Sequence, residues 1–116
     1  MTVKRIVKNI ATEDLGRAQA FYGEMLGLEV VMDHGWLKTY ASDQKALVQI
    51  AVASQGGLDT EVPDLSIEVD HVDDVYARAK AAEFEIVYDL TDEPWGVRRF
   101  YVRDPYGQVV NILAHL

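Results

Sequence analysis

Apolar and polar positions alternate most cleanly near the C-terminal end of the chain. Residues 97–103 and 108–113 are two runs of period two, separated by Asp104-Pro105-Tyr106-Gly107. Asp at the first turn position, Pro fixing φ at the second and Gly at the fourth predict a β-hairpin. On its second strand Val110 and Ile112 take one face, and Val109, Asn111 and Leu113 take the other. A carboxamide at Asn111, inside an apolar strand, is either a satisfied structural amide or a pocket residue.

From the N-terminal end, residues 3–11 read as a strand with Val7, Asn9 and Ala11 on one face and Ile6, Lys8 and Ile10 on the other. Thr12 has the chemistry of a helix N-cap, and Glu13 and Asp14 follow where the helix dipole favours acids. Leu15, Ala18, Phe21, Tyr22 and Met25 recur at helical spacing, and Gly27 suits a C-terminal stop. That spacing makes Phe21 and Tyr22 core residues. Three strands follow, at 28–32, 36–41 and 46–53, with turns at Asp33-His34-Gly35 and at Ser42-Asp43-Gln44-Lys45. Residues 54–63, which include Gly56, Gly57 and Pro63, read as a polar linker inside the domain.

The chain then repeats its order. Residues 65–69 predict a strand, and Asp70 caps a helix over 71–83 whose apolar stripe is Val72, Val75, Tyr76, Ala79 and Ala82. Residues 84–88 predict a strand, 91–95 a loop, and the hairpin completes the half. Val48-Gln49-Ile50 matches Val110-Asn111-Ile112, and Lys38-Thr39-Tyr40 matches Arg99-Phe100-Tyr101, at an offset of about sixty residues. The expected fold is therefore α+β: one domain over 1–116, made of two tandem βαβββ modules at about 1–58 and 59–116. Each module forms a curled four-stranded sheet backed by its helix, around a cleft.

Composition narrows the function. The chain has 116 residues, 49% hydrophobic and 26% charged, which suits one ordinary globular domain. It contains no Cys, so it has no disulfide, thiolate nucleophile or Cys-held zinc. A formal net charge of −8 argues against a nucleic-acid partner. No apolar run reaches the roughly 20 residues of a membrane span and the start is unlike a signal peptide, so the expectation is a cytoplasmic protein with no membrane partner. No nucleotide-binding glycine loop and no Ser-His-Asp spacing stand out.

The polar faces of the predicted sheets hold the candidate site. They carry Asn9, Trp36, Lys38, Tyr40, Gln49, Asp64, Ser66, Glu68, Arg99, Tyr101 and Asn111. A cleft of aromatics with a few placed polar groups suits a small-molecule ligand. Trp95, in Glu93-Pro94-Trp95-Gly96, either closes over that cleft or pins its loop to the core or to a partner subunit. Asp64 and Glu68, on one face with Ser66 between them, are either solvated carboxylates or a coupled pair able to act as a general base.

Two motifs, DLGRAQAFYGEMLGLEV near the start and PWGVRRFYVRDPYGQVVNI near the end, resemble the vicinal oxygen chelate superfamily. It contains glyoxalase I, extradiol dioxygenases, metal-dependent fosfomycin resistance enzymes and the metal-free bleomycin resistance proteins. The resemblance covers nearly the whole chain and implies a homodimer with two clefts. It also sets Val7, or Asn9 if the register slips by two, against a metal-ligand position on the first strand. Gln49 and Asn111 stand where Glu is expected, and Asp64 where His is expected. His34, His71 and His115 fall at none of these places.

One carboxylate and two amides make a weak divalent site. The expectation is thus a binding protein of the bleomycin-resistance type without metal or other cofactor, holding an antibiotic- or metabolite-like aromatic ligand. Trp36, Tyr40 and Tyr101 would stack the ligand, and Gln49 and Asn111 would orient it. Asp64 and Glu68 favour a cationic group, whereas Lys38 and Arg99 favour an acidic one or pair with those acids, so ligand charge stays open. The alternative is a metal-dependent lyase or dioxygenase of the same superfamily with atypical ligands.

Overall fold

The computed structural model describes residues 4–46 and 49–116. It begins with an extended segment, then a short 3-10 turn at Leu15–Arg17 and a π-helix at Gln19–Met25. Strands β1 (Glu29–Asp33) and β2 (Lys38–Ala41) form an antiparallel pair. After a long connection come β3 (Leu65–Glu68), helix α1 (Val72–Ala81), β4 (Ile86–Glu93), β5 (Val97–Arg103) and β6 (Val109–His115). These four strands make a sheet of order β3-β6-β5-β4, with β3 parallel to β6 and the other pairs antiparallel. The fold is α+β in two tandem units, and the second is a complete βαβββ unit.

The first unit departs from the expected pattern. Residues 4–11 and 49–53 carry strand-like alternation but form no strand, and Leu47 and Val48 of the expected 46–53 strand lie outside the described residues. These segments lie unpaired beside the free edges of both sheets. Ile6 and Val7 are 49% and 46% exposed, and Ile50 and Val52 are 75% and 93% exposed. A strand is held by cross-strand partners as much as by its own propensity. Among the described residues the first unit therefore contributes a helix and a two-stranded sheet.

Local chemistry explains the elements that do form. Phe21, Tyr22 and Met25 are buried on one stripe of the first helix. Its wider π winding is seen where Leu26 N–H donates to Phe21 O at 3.1 Å. Gly16 before that stripe and Gly23 within it weaken the ordinary α register. Thr12 Oγ accepts from Asp14 N at 3.0 Å, two residues on rather than as a true cap. Gly27 takes φ +72° and lets Leu28 N reach Tyr22 O at 3.0 Å, which ends the helix. At α1 the N-cap position is His71, one residue past the expected Asp70, and it makes no side-chain cap.

β4 runs to Glu93, into the first three residues of the stretch expected as a loop. Register shifts between Ile86 and Tyr88 and between Tyr88 and Thr91 absorb extra residues, so the strand bends but keeps pairing. The reversal falls later, where Gly96 N donates to Glu93 O at 3.1 Å.

The core lies between the sheet and both helices. Phe100, Val102, Val110 and Ile112 on the sheet meet Val72, Val75 and Ala79 of α1 and Phe21, Tyr22 and Met25 of the first helix. Phe21 packs edge-on against Phe84 with ring centroids 5.1 Å apart. Tyr22 Oη donates to Asp104 Oδ2 at 2.7 Å, and Asp104 Oδ1 accepts from the Tyr106 and Gln108 amides at 2.8 Å. The buried Asp104 thus ties the β5–β6 turn to the first helix.

Burial, and then the Asp104 carboxylate, push the Tyr22 pKa well above the usual phenol range. A raised folded value stabilises the fold fully below the unfolded phenol pKa of about 10 and is lost as pH rises through the folded value. Tyr22→Phe is expected to flatten this alkaline loss. Urea midpoints compared between about pH 8 and 11 check it.

Candidate functional site

The structure sorts the candidate residues into two groups. The first lines a groove of about 860 Å3 between the N-terminal segment, the first helix, β2 and the outer edge of β3. Asn9, Trp36, Lys38 and Tyr40 all border it, with Tyr22 and Tyr106 adding aromatic wall. Trp36 is 77% exposed and stacks on His34 with centroids 6.0 Å apart. Tyr40 Oη donates to Gln19 Oε1 at 3.2 Å, which fixes its ring near Tyr22.

The second group lies on the sheet face opposite α1. In register, Ser66 pairs with Asn111, Asn111 with Tyr101, and Leu113 with Arg99. Period-two alternation puts Tyr101, Arg99 and Asn111 on one face because Phe100, Val102, Val110 and Ile112 take the core face. Arg99 is 4% exposed and its guanidinium pairs with Glu93, Nη2 to Oε2 at 2.7 Å and Nε to Oε2 at 2.8 Å. Three rings surround it: its Cζ lies 5.2 Å from the centre of Tyr88, 5.0 Å from Trp95 and 5.0 Å from Tyr101. Trp95 therefore covers Arg99 from the β4–β5 turn.

This face is roofed by residues 55–61, the stretch expected as a linker. Arg99 Nη1 donates to Gly56 O at 2.8 Å, and Tyr101 Oη donates to Glu61 O at 3.2 Å. Glu93, Tyr88 and Thr60 were not legible as site residues. For Glu93 a signal existed: reading 91–93 as strand would have placed it across the hairpin, on the face of Arg99.

The remaining candidates have separate surroundings. Asp64 Oδ2 accepts from Val109 N at 2.8 Å, and Glu68 Oε2 lies 3.3 Å from His115 Nδ1. Neither carboxylate pairs with Arg99, whose partner is Glu93. Gln49 is exposed on the extended stretch, whereas Asn111 is buried and donates to Ser66 Oγ at 3.1 Å. The structure does not bring these two amides into equivalent settings.

Residues 2–112 match the Glyoxalase/Bleomycin resistance protein/Dioxygenase superfamily. The chain belongs to this superfamily. The same fold appears in solved structures. TioX from Micromonospora sp. ML1 is 22% identical, covers 96% of this chain and 95% of its own, and superposes with a TM-score of 0.64. Lactoylglutathione lyase from Agrobacterium tumefaciens is 22% identical over 97% of this chain and 92% of its own, with a TM-score of 0.64. A glyoxalase/bleomycin resistance protein/dioxygenase from Alicyclobacillus acidocaldarius is 18% identical over 99% and 92%, with a TM-score of 0.61. No curated protein matches the chain.

Metal-dependent members of the superfamily raise the question of a metal here. Among the described residues no three His, Asp or Glu side chains converge. Asp64 is engaged by a backbone amide, Asn111 is a neutral donor tied to Ser66, and Gln49 is exposed on an extended stretch. A divalent ion needs several anionic or imidazole ligands in one place. As arranged, these side chains do not fit one. Among the described residues no helix is long and apolar enough to cross a membrane.

Proposed function

We propose that this chain is a metal-free small-molecule-binding protein of the superfamily, holding an aromatic, antibiotic- or metabolite-like ligand. The observation that carries this reading is the groove of about 860 Å3, bordered by aromatic rings and a few polar groups. Its size and lining suit a drug-sized molecule. Trp36 offers an exposed indole face, Tyr22 and Tyr40 a fixed aromatic wall, and Asn9 and Lys38 the orienting polar groups. The bleomycin-resistance branch, rather than a glyoxalase-like lyase or dioxygenase, fits the donor set just described.

Native mass spectrometry of the purified protein against a library of planar metabolites and antibiotics tests this directly. A bound aromatic compound is expected, and Trp36→Ala is expected to weaken it about tenfold, through loss of stacking worth about 1 kcal/mol or more. Elemental analysis of protein prepared without chelator is the second arm. A near-stoichiometric transition metal would instead support the lyase or dioxygenase reading.

The proposal includes a cytoplasmic homodimer. Ile50, Val52, Ile6 and Val7 form strand-patterned segments exposed in the single chain, and β3 has a free edge. A second copy related by twofold symmetry would cover such segments and complete the first unit's pairing. The interface is expected to bury at least about 1,000 Å2. Sedimentation at micromolar concentration checks it, and a monomer near 13 kDa would overturn it.

A further inference from the structure

The groove between the N-terminal segment, the first helix and β2 has a charge unlike that of the chain. The sequence holds 19 acidic and 11 basic side chains. A wall drawn at random from it would carry more acids than bases. Instead Arg5, Lys8 and Lys38 border the groove, and no Asp or Glu does so among the described residues. Within the same residues none of these three cations is held in an ion pair.

The fold itself keeps the acids away. On β3 the groove meets Leu65 and Ile67, which stand in register with Val110 and Ile112 and pack against the core. Alternation then turns Asp64 and Glu68 to the other face. There Asp64 accepts from the Val109 amide, and Glu68 approaches His115. On β1, Asp33 pairs with Lys38 in register, but its Oδ1 is taken by Gly35 N at 2.9 Å within the turn. The charged candidates that left the ligand's charge open are thereby separated. Lys38 borders the groove, Asp64 and Glu68 do not, and Arg99 is matched by Glu93.

The groove also shares part of its wall with a smaller chamber of about 240 Å3, and Arg5, Asn9 and Thr39 line both. Arg5 is the one charged residue of that chamber among the described residues, and the rest of its wall is apolar. Guanidinium, carboxamide and hydroxyl can all donate hydrogen bonds, and a guanidinium fork matches the two oxygens of a carboxylate. In apolar surroundings such charge-assisted bonds are stronger than in open water.

We infer that the groove selects an aromatic anion, a planar apolar body carrying one carboxylate or a group of like charge. The acid group sits at the shared wall, on Arg5, Asn9 and Thr39, and Lys8 and Lys38 add to the positive field. The ring lies in the larger space against Tyr22, Tyr40 and Tyr106. A cation of the same shape meets three like charges and no counter-charge on the wall. This inference rests on the groove being the ligand site, as proposed above, and adds the sign of the ligand's charge.

Naphthoate, naphthamide and naphthylmethylammonium share one ring system and differ in charge, and isothermal titration calorimetry compares them. Naphthoate is expected to bind at least about tenfold more tightly than naphthamide, and the ammonium more weakly than either. Arg5→Gln and Lys38→Glu are each expected to weaken naphthoate about tenfold while leaving naphthamide within about twofold. Lys80→Glu makes a like charge change on α1, away from the groove, and is expected to leave both affinities as they are. Raising NaCl from about 0.05 to 0.5 M is expected to weaken naphthoate several-fold and naphthamide little, with no substitution needed. Naphthamide binding as tightly as naphthoate, or naphthoate indifferent to Arg5→Gln and Lys38→Glu, overturns the charge selection and leaves the aromatic groove standing. Binding of none of the three by about 1 mM overturns both.

Discussion

Glu93→Ala is expected to destabilise the protein by about 3–5 kcal/mol, because it leaves the Arg99 guanidinium buried without a counter-charge. The side chains of Arg99 and Glu93 are 5% and 0% exposed, so water cannot replace the lost carboxylate. The three rings around Arg99 soften the loss but do not neutralise a full charge. Joint exchange of both residues, Glu93→Leu with Arg99→Met, is expected to recover most of it, since a buried pair and a well-packed apolar pair are often close in stability. Urea unfolding of the two variants measures the difference. If the single variant loses less than about 1 kcal/mol, the pair is solvated in solution and the face is more open than described.

Phe21→Ala carries the second large effect, an expected loss of about 3–5 kcal/mol. Phe21 is fully buried, and its ring meets Phe84, which lies in the second unit. A cavity there removes packing between the units as well as within the first. The variant is expected to unfold in a single transition, with circular dichroism and tryptophan fluorescence coincident. Separate transitions would show that the two halves have cores of their own.

The second unit was almost fully legible because its alternation has a partner on both sides. Val97 to Arg103 and Val109 to Leu113 each carry one face that needs α1 and another that needs cover, and the chain supplies both. Residues 4–11 and 49–53 alternate just as well, but alternation reports which face is apolar and not whether the segment pairs with an edge. The π winding of the first helix was not readable either, since the buried stripe at Ala18, Phe21, Tyr22 and Met25 fits either winding.

At the site, period two placed Arg99, Tyr101 and Asn111 together without needing the structure. What covers them was invisible. Gly56 and Glu61 act through backbone carbonyls, which every residue has, so no side-chain pattern announces them. Reading 91–95 as a loop hid Glu93, the counter-ion of Arg99. Trp36, Lys38 and Tyr40 share a groove with Asn9 because β2 and the N-terminal segment border the same space, and Gln49 falls outside it.

The Tyr22–Asp104 hydrogen bond joins positions 82 apart in the chain. Hairpins such as β5–β6 assemble in about 1–10 μs, and closing a long loop adds an entropic barrier that grows with the logarithm of its length. The expected order of assembly is that the C-terminal hairpin and α1 gather first and the helix at Gln19–Met25 docks onto them. Contacts that form after the rate-limiting step govern the rate of unfolding rather than that of folding. Tyr22→Phe is therefore expected to speed unfolding more than it slows folding, a split that stopped-flow kinetics measure.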